Sequence, residues 1–400
     1  MRTSTRALVA LTCLAAVTGT IPSAAAAAPP GVAPETRCTT EPTAPTTLPP
    51  LSGAKLSAAI AGLPDGEISG AIVQVRGSAG CWQGTSGVAN VHTGQSVPQD
   101  GRFRIGSMTK MFTAVVALQL VAEGRLDLDQ SVRHYLPDLL PAGYPAITVR
   151  QVLTYTSGIN GTDVPHKDPD WFLVHRYDHW EPGSQLDLTT PPAFTPGTKQ
   201  RYGNADYIVA GLLIEKVTGR TWEREVTDRI IRPLRLTGTT APADDPRIRG
   251  PHAHGYEALS SANGTTRWVD ITQANPSLQW SAAAIISTAS DLDRFLVAVF
   301  TGQLMPAAQL DLMFTVPDVP TWDADDNPAN DEPATFAIGL NRLKIGGLTL
   351  WGKTGDRPGY NNGIGATRDL SRRLTYSVNT LHMGGEFPAA VQRIITATYL

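Results

Sequence analysis

The chain has 400 residues, of which 42% are apolar and 17% are charged, and its formal net charge is −3. This length is sufficient for one large folded unit, or two smaller ones, with a buried core. The 33 Lys and Arg residues are balanced by 36 Asp and Glu residues, so there is no basic excess of the kind that nucleic-acid-binding proteins carry. The apolar content is too high for an intrinsically disordered chain.

The N-terminal segment has the features of a secretory signal peptide. Arg2 and Arg6 precede an apolar run at 7–17, and the small residues at 22–28 offer cleavage sites. A leader rich in Pro, Thr and Ala follows at 29–50. No later stretch approaches transmembrane length, so we expect a secreted monomer on the cell-wall side, with no membrane span after cleavage and no nucleic-acid partner.

The cysteines predict one disulfide in the mature protein. Cys13 lies in the signal segment, which leaves Cys38 and Cys81 as an even pair in an oxidising compartment. A Cys38–Cys81 bridge would close a loop of about 43 residues and contribute at most about 4 kcal/mol in the chain-entropy model.

The predicted elements run from strands to helices and back to strands. Strands are predicted first, at 68–76 and 81–91, and a long helix follows the segment at 107–110 and ends at Gly124. Helices are then predicted at 149–153, 207–217 and 291–300, strands at 336–343, 348–354, 363–367 and 374–379, and a closing helix at 388–399.

This order indicates an α/β (α+β) fold in which one antiparallel sheet is assembled from both chain ends and flanked by helices. We predict that residues 51–125 and 285–400 form this α/β unit. Residues 126–284 are predicted to form a mainly helical inserted domain.

Ser107 and Lys110 form the first candidate catalytic motif. On a helix, residues three apart share a face, so the lysine amine can reach the serine hydroxyl. A serine is a poor nucleophile until a base removes its proton, and burial, a second cation and the helix dipole can lower a lysine pKa enough for that task. The same spacing recurs at 52–55, where it ends the leader without a preceding strand, and we assign it no function.

The second candidate motif is the pair Tyr202 and Asn204. In an extended segment, residues two apart point the same way, so a phenol and an amide can enter one cleft. The phenol can pass protons and the amide can hold a substrate carbonyl. The spacing alone is weak evidence, because residues 360–362 match it as well.

The third candidate motif is Lys353-Thr354-Gly355 at the end of a predicted strand. A strand edge offers free backbone groups to an extended substrate, and Gly355 permits its close approach. Lys353 adds positive charge beside the nucleophile.

Together and in this order, the three motifs are the signature of serine β-lactamases and penicillin-binding proteins. The chain resembles that superfamily, in the branch with Tyr-x-Asn that includes class C β-lactamases, D-alanyl-D-alanine carboxypeptidases and related esterases. It is most similar to secreted carboxypeptidases, and the resemblance implies a β-lactamase/transpeptidase-like fold. It extends from about residue 56 to the end and is also carried by segments 103–110, 120–129, 148–158 and 210–219.

The resemblance implies a role for each motif residue. Ser107 attacks a carbonyl and becomes acylated, while Lys110 and Tyr202 move the protons in shares that the sequence does not apportion. The backbone N–H groups of Ser107 and Asp356 are implied to form the oxyanion hole. The remaining positions are implied to bind substrate, with Asn204 holding the acyl chain and Lys353, Thr354 and Gly355 facing the carboxylate end.

Three departures from the family pattern concern the substrate. Many relatives in the carboxypeptidase and esterase branch have His where this chain has Lys353. Asp356 replaces a small residue and is expected to disfavour a substrate carboxylate unless Arg342 or Arg357 compensates. Alanines at 282–284 replace frequent glycines, which predicts a tighter cleft floor.

The leading hypothesis is an exported D-alanyl-D-alanine carboxypeptidase that acts through an acyl-enzyme on peptidoglycan stem peptides, with β-lactams as alternative small substrates. The other hypotheses are a class C-like β-lactamase, an esterase or D-amino-acid peptidase, and a non-catalytic penicillin-binding sensor. We find no metal-binding or cofactor-binding motif and expect neither a metal nor a cofactor.

Overall fold

The computed structural model describes residues 48–260, 264–323, 331–385 and 387–400. The predicted signal peptide, the leader up to residue 47 and Cys38 lie outside the described residues. Export and the Cys38–Cys81 bridge therefore stay predictions.

The secondary structure alternates between a sheet-forming part at each end and helices between them. The strands in chain order are β1 (Ile68–Arg76), β2 (Trp82–Asn90), β3 (Gln95–Ser96), β4 (Phe103–Arg104), β5 (Asn160–Gly161), β6 (Leu186–Asp187), β7 (Tyr256–Ser260), β8 (Thr266–Asp270), β9 (Ile286–Ser287), β10 (Asn341–Ile345), β11 (Leu348–Arg357), β12 (Tyr360–Thr367) and β13 (Arg373–Thr380). The helices are α1 (Gly53–Ala59), α2 (Thr109–Ala122), α3 (Val132–Tyr135), α4 (Val149–Leu153), α5 (Pro169–His175), α6 (Ala205–Thr218), α7 (Trp222–Val226), α8 (Trp280–Ala283), α9 (Ala289–Phe300), α10 (Ala307–Leu312) and α11 (Ala389–Tyr399). Shorter helical turns lie at Gly106–Met108, Pro182–Gln185 and Thr227–Ile231.

The main sheet has seven strands in the order β10-β11-β12-β13-β1-β2-β3, and its pairings are antiparallel. Strand β1 joins the two parts of the chain, because Ile72 is opposite Ser377 of β13 on one side and opposite Thr85 of β2 on the other. The predicted antiparallel sheet built from both chain ends is therefore confirmed. The proposed division into domains at residues 125 and 285 stays a prediction.

The sheet is covered on both faces by helices. One face packs against α1 and α11, through side chains such as Leu56 and Ile394. The other face packs against a larger cluster around α2, which is buried on nearly all sides as expected of a central helix. Phe112 of α2 stacks on Phe295 of α9 with ring centroids 3.8 Å apart. This central helix carries the nucleophile motif at its N-terminus.

One hairpin was not predicted, and one predicted strand was too long. Residues 256–270 contain the hairpin β7–β8, which was not predicted, because its partly exposed residues lack clear period-two alternation and tertiary context decides their pairing. The strand predicted at 336–343 begins only at Asn341. The Gln200 side chain binds the backbone of Phe336, and Gly339 has a φ of +77°, which interrupts an extended run.

Within the described ranges, none of the helices combines the length and the apolarity needed to span a bilayer.

Candidate active site

Ser107 lies in the Gly106–Met108 turn, which leads directly into α2. Lys110 follows one turn later, and its Nζ lies 3.1 Å from Oγ of Ser107. The predicted spacing thus brings the amine to the hydroxyl. The positive end of the helix dipole lies at the same place and disfavours a charged lysine.

Lys110 is completely buried, yet no carboxylate is hydrogen-bonded to its amine among the described residues. Its Nζ donates to Oδ1 of Asn204 at 2.7 Å and to the carbonyl of Ala282 at 3.1 Å. Burial lowers the pKa of Lys110 well below its usual value, and the positive charge of Lys353 lowers it further.

Tyr202 lies across the cleft from Lys110. Its ring stacks on Phe336 with centroids 4.7 Å apart, and its hydroxyl interacts with Ser107, which lowers the pKa of the phenol. The amines of Lys353 and Lys110 lie 4.4 and 5.1 Å from the ring centroid. Tyr202 as a whole is 37% exposed, yet desolvation outweighs the effect of Ser107 and raises the pKa of its hydroxyl.

The second half of β11 has a free edge at the cleft. β10 pairs only with residues 348–352 of β11, whereas β12 pairs with β11 as far as Arg357. Within the part of the chain that the structure describes, no strand therefore pairs with the edge from Lys353 to Arg357 on the side away from β12. This is the arrangement that the Lys353-Thr354-Gly355 motif predicted.

Two glycines allow β11 to cross the nucleophile turn. A Cβ at Gly355 would lie 2.0 Å from the Ile105 carbonyl oxygen and 2.9 Å from the backbone nitrogen of Ser107. Gly106 has a φ of +53°, and a Cβ there would lie 2.6 Å from the backbone nitrogen of Asp356. The close crossing therefore brings the backbone at Ser107 and the backbone at Asp356 into contact.

Lys353 and Thr354 occupy the cleft at different depths. Lys353 is buried, and its Nζ donates to the Thr354 carbonyl at 3.0 Å. Burial lowers the pKa of Lys353 to about 8. The Thr354 side chain is exposed.

Asp356 is exposed at the end of the same edge, and one carboxylate oxygen accepts a hydrogen bond from the Asn361 amide. Neither Arg342 nor Arg357, the two residues considered able to compensate this charge, is hydrogen-bonded to the carboxylate in the described part of the chain. A guanidinium nitrogen of Arg342 lies 3.5 Å from the Ala334 carbonyl, and Arg357 points inward to Gln279. Arg342 is directed elsewhere because it stands on β10, opposite Trp351, before the free edge begins.

Sequence reasoning missed the residues that support the motifs. The side chain of Gln200 binds the backbone at Thr154, Thr335 and Phe336, and so connects the Tyr202 segment to the stacking ring of Phe336. Such bonds between distant segments leave no periodic pattern in the sequence.

Two apparent motif copies have structural roles instead. The Ser52 hydroxyl accepts a hydrogen bond from the backbone N–H of Lys55 and caps α1. Asn362 donates to the carbonyls of Arg104 and Gly355 and fixes β11 against the nucleophile segment.

Asp206 is a further buried acid near the catalytic lysine. It lies on α6, two residues after Asn204, and accepts a 2.5 Å hydrogen bond from the Ser157 hydroxyl. Burial raises the pKa of Asp206 to about 7, against the opposing effects of Ser157 and Arg201. Residues two apart do not share a helix face, so its spacing from Asn204 does not predict its position.

Comparison with known proteins identifies the family. The family model described as Beta-lactamase matches residues 56–398. The chain is 29% identical over 203 residues to a beta-lactamase of Escherichia coli K12, covering 46% of this chain and 51% of that protein. It is 28% identical over 214 residues to Penicillin-binding protein 4 of Amycolatopsis lactamdurans, covering 52% and 54%. The chain spans about half the length of these curated relatives.

The solved structures give broader coverage. A D-stereospecific amidohydrolase from Streptomyces sp. has a TM-score of 0.73 and 34% identity, covering 87% of this chain and 98% of that chain. A D-amino acid amidase from Ochrobactrum anthropi SV3 shares the fold, with a TM-score of 0.69 and 24% identity over 86% and 98% of the two chains. The chain therefore belongs to the beta-lactamase family, within the superfamily of serine β-lactamases and penicillin-binding proteins.

Proposed function

We propose that the protein is an exported serine hydrolase that cleaves the amide bond on the carbonyl side of a D-amino-acid residue through an acyl-enzyme. The observation that carries this proposal is the 3.1 Å contact between Ser107 Oγ and the buried amine of Lys110, beside the free edge of β11. The similarity to a D-stereospecific amidohydrolase over 98% of that chain supports the D-specificity. A D-alanyl-D-alanine terminus, the substrate expected from the sequence, belongs to this class.

The hydrogen bonds of Lys110 support its role as the base. A neutral amine has two N–H donors and one lone pair. The Asn204 and Ala282 oxygens can only accept, so they use both donors, and the lone pair is left for the Ser107 hydroxyl. In the acylation step, Ser107 Oγ bonds to the substrate carbonyl carbon while its proton passes to Lys110.

The raised pKa of Tyr202 supports a role as a proton relay rather than as the base. A neutral phenol can receive the proton from Lys110 while it gives its own to the departing amine as the C–N bond breaks. In deacylation, water attacks the ester carbonyl, a water proton is taken up along the same route, and Ser107 recovers its hydroxyl proton.

The backbone at the crossing supports an oxyanion hole formed by the N–H groups of Ser107 and Asp356. The close approach at Gly355 and Gly106 is consistent with both groups facing one oxygen. The substrate would extend along the free edge, with Lys353 and Thr354 beside the leaving group. Their cation and hydroxyl favour a leaving group that ends in a carboxylate, as D-alanine does.

The test measures product release from a peptide ending in D-Ala-D-Ala and from a D-amino-acid anilide, each beside its L-configured counterpart. We expect hydrolysis of the D-substrates and none by the Ser107→Ala variant. Hydrolysis of nitrophenyl esters without cleavage of either amide would instead support an esterase. Repeated rapid turnover of nitrocefin would support a β-lactamase.

Labelling with a fluorescent penicillin separates these enzymes from a non-catalytic sensor. We expect the wild type to be labelled and Ser107→Ala to remain unlabelled. Equal labelling of both proteins would contradict acylation at Ser107.

Export and a monomeric state are part of the proposal and rest on the N-terminal sequence. Mass spectrometry of the protein from the culture medium would detect removal of the segment before residue 29. Light scattering of the purified protein would give its mass in solution.

A further inference from the structure

We propose that the Asp356 carboxylate binds the free α-ammonium group of the D-amino-acid residue whose carbonyl Ser107 attacks. This inference rests on the proposed function and narrows its substrate class to D-aminoacyl compounds with an unblocked amine, such as D-amino-acid amides and short D-peptides.

Asp356 lies on the free edge of β11, next to the position proposed for the oxyanion. If the backbone N–H of Asp356 holds the oxyanion, the α-nitrogen of the acyl group lies about 2.5 Å from the carbonyl carbon. The side chain of Asp356 belongs to the same residue and is exposed at the cleft. It is therefore within hydrogen-bonding reach of the acyl group's α-substituents.

The side chains of Asp356 and Asn361 have hydrogen-bonding capacity that no described residue uses. Asp356 accepts one bond from the Asn361 amide, whereas Oδ1 of Asn361 is buried and has no partner among the described residues. Asn361 is only 7% exposed, and both side chains line a cavity of about 140 Å³. An ammonium group with three N–H donors can satisfy the carboxylate and, after a small movement, the amide oxygen.

The charges along β11 change from basic to acidic in the direction of the chain. Lys353 and Asp356 are separated by about 10 Å along the strand, with the Lys353 side chain on the buried face and the Asp356 side chain on the exposed face. A substrate with its carboxylate end toward Lys353 therefore has its amino end toward Asp356. An acylated amine has no positive charge and only one N–H donor. It would displace water from the Asp356 carboxylate without replacing the hydrogen bonds that the water made, so its binding should be weaker.

The neighbouring cations leave room for a ligand. Lys167 and Lys353 attract the Asp356 carboxylate electrostatically, and neither donates a hydrogen bond to it in the described part of the chain. Lys353 donates to the Thr354 carbonyl, and Arg357 binds Leu278 and Gln279. Oδ2 of Asp356 is therefore available to a charged donor from the substrate.

The experiment compares kcat/KM for D-alanine p-nitroanilide and N-acetyl-D-alanine p-nitroanilide. We expect the wild type to prefer the free amine by about tenfold or more, as for a charge-assisted hydrogen bond. Asp356→Asn should reduce the ratio of the two kcat/KM values by about tenfold. A general loss of activity would lower both values equally and leave the ratio unchanged. Asp311→Asn, at an exposed position on α10, is the matched control and should keep the wild-type ratio.

A pH series on the wild type gives an independent readout. The preference should disappear as the substrate amine loses its proton, above about pH 8. Equal or faster cleavage of the acetylated anilide, or an unchanged ratio in Asp356→Asn, would overturn the inference and leave the proposed function intact. Cleavage of neither anilide and of no D-peptide would defeat the proposed function, and the inference with it.

Discussion

Asn204 Oδ1 lies 2.7 Å from Nζ of Lys110, which is closer than the 3.1 Å between Nζ and the Ser107 hydroxyl. The amide oxygen therefore holds the amine that we propose as the base, in addition to the contact with the acyl chain that the motif implies. Because Asn204 is uncharged, it holds the amine without the stabilisation of the ammonium form that a carboxylate would provide.

We therefore predict a shifted pH profile for Asn204→Asp. A carboxylate at this position would raise the pKa of Lys110 and keep it charged, so kcat/KM at pH 7 should fall about tenfold or more and recover as the pH rises. Asn204→Ala is the control, because it removes the contact without adding charge. An Asn204→Asp profile with the wild-type acid limb would show that Lys110 is not the titrating base.

Tyr202→Phe should affect amides more than activated esters. A relay to the departing amine is needed when the leaving group is poor, so we expect kcat for amides to fall about 10²-fold or more. A p-nitrophenolate leaves without a proton, so acylation by its ester, measured as the pre-steady-state burst of nitrophenolate, should lose much less, whereas deacylation is common to both substrates. Equal losses on both substrates would contradict the relay role.

The pKa of Lys353, near 8, predicts a basic limb for substrates that carry a carboxylate. Lys353 is mostly charged below pH 8 and neutral above it, so the KM of a D-Ala-D-Ala peptide should increase as the pH passes through 8 to 9. A D-amino-acid amide has no carboxylate, so its KM should not increase in this pH range after correction for the fraction of substrate whose amine is protonated. The comparison requires steady-state kinetics with both substrates across pH 6–10.

Gly355→Ala should damage the site and the fold together. The new Cβ would overlap the Ile105 carbonyl, so we expect a loss of about 1–3 kcal/mol in unfolding free energy and nearly complete loss of acylation. Gly143→Ala is the control, because a Cβ there meets no heavy atom within 4 Å. Thermal unfolding and penicillin labelling of both variants test this, and a fully stable, active Gly355→Ala would contradict the close crossing.

Asp206→Asn should move the acid limb of the activity profile to lower pH. The Asp206 carboxylate attracts the ammonium form of Lys110 and thereby raises its pKa. Removing the carboxylate should therefore lower the pKa of Lys110 further. The pKa of Asp206 is raised above its unfolded value, so in the wild type this group favours folding at low pH, and that contribution is lost as the pH rises through about 7. Denaturant unfolding at pH 5 and pH 8 should therefore show a smaller pH dependence in the variant.

The strand pattern and the three motifs were sufficient to predict the sheet and the meeting of Ser107 and Lys110. Both predictions depend on spacing, which the sequence displays directly. The surroundings of Asp356 were not predictable, because Arg342 and Arg357 are directed by strand register and by loop carbonyls. Besides Asn204, the Lys110 amine donates to the Ala282 carbonyl, which belongs to the backbone and leaves no residue-type signal.

The pairing of β1 with β13 has a consequence for biosynthesis. Ser107 and Lys110 are translated long before β11, β12 and β13, and β1 has its β13 partner only after the last strand is made. A nascent chain therefore carries the serine and the lysine without the edge that completes the cleft. The hydrolase can become competent only after β13 has been synthesised, so the order of translation itself delays activity until the sheet is complete.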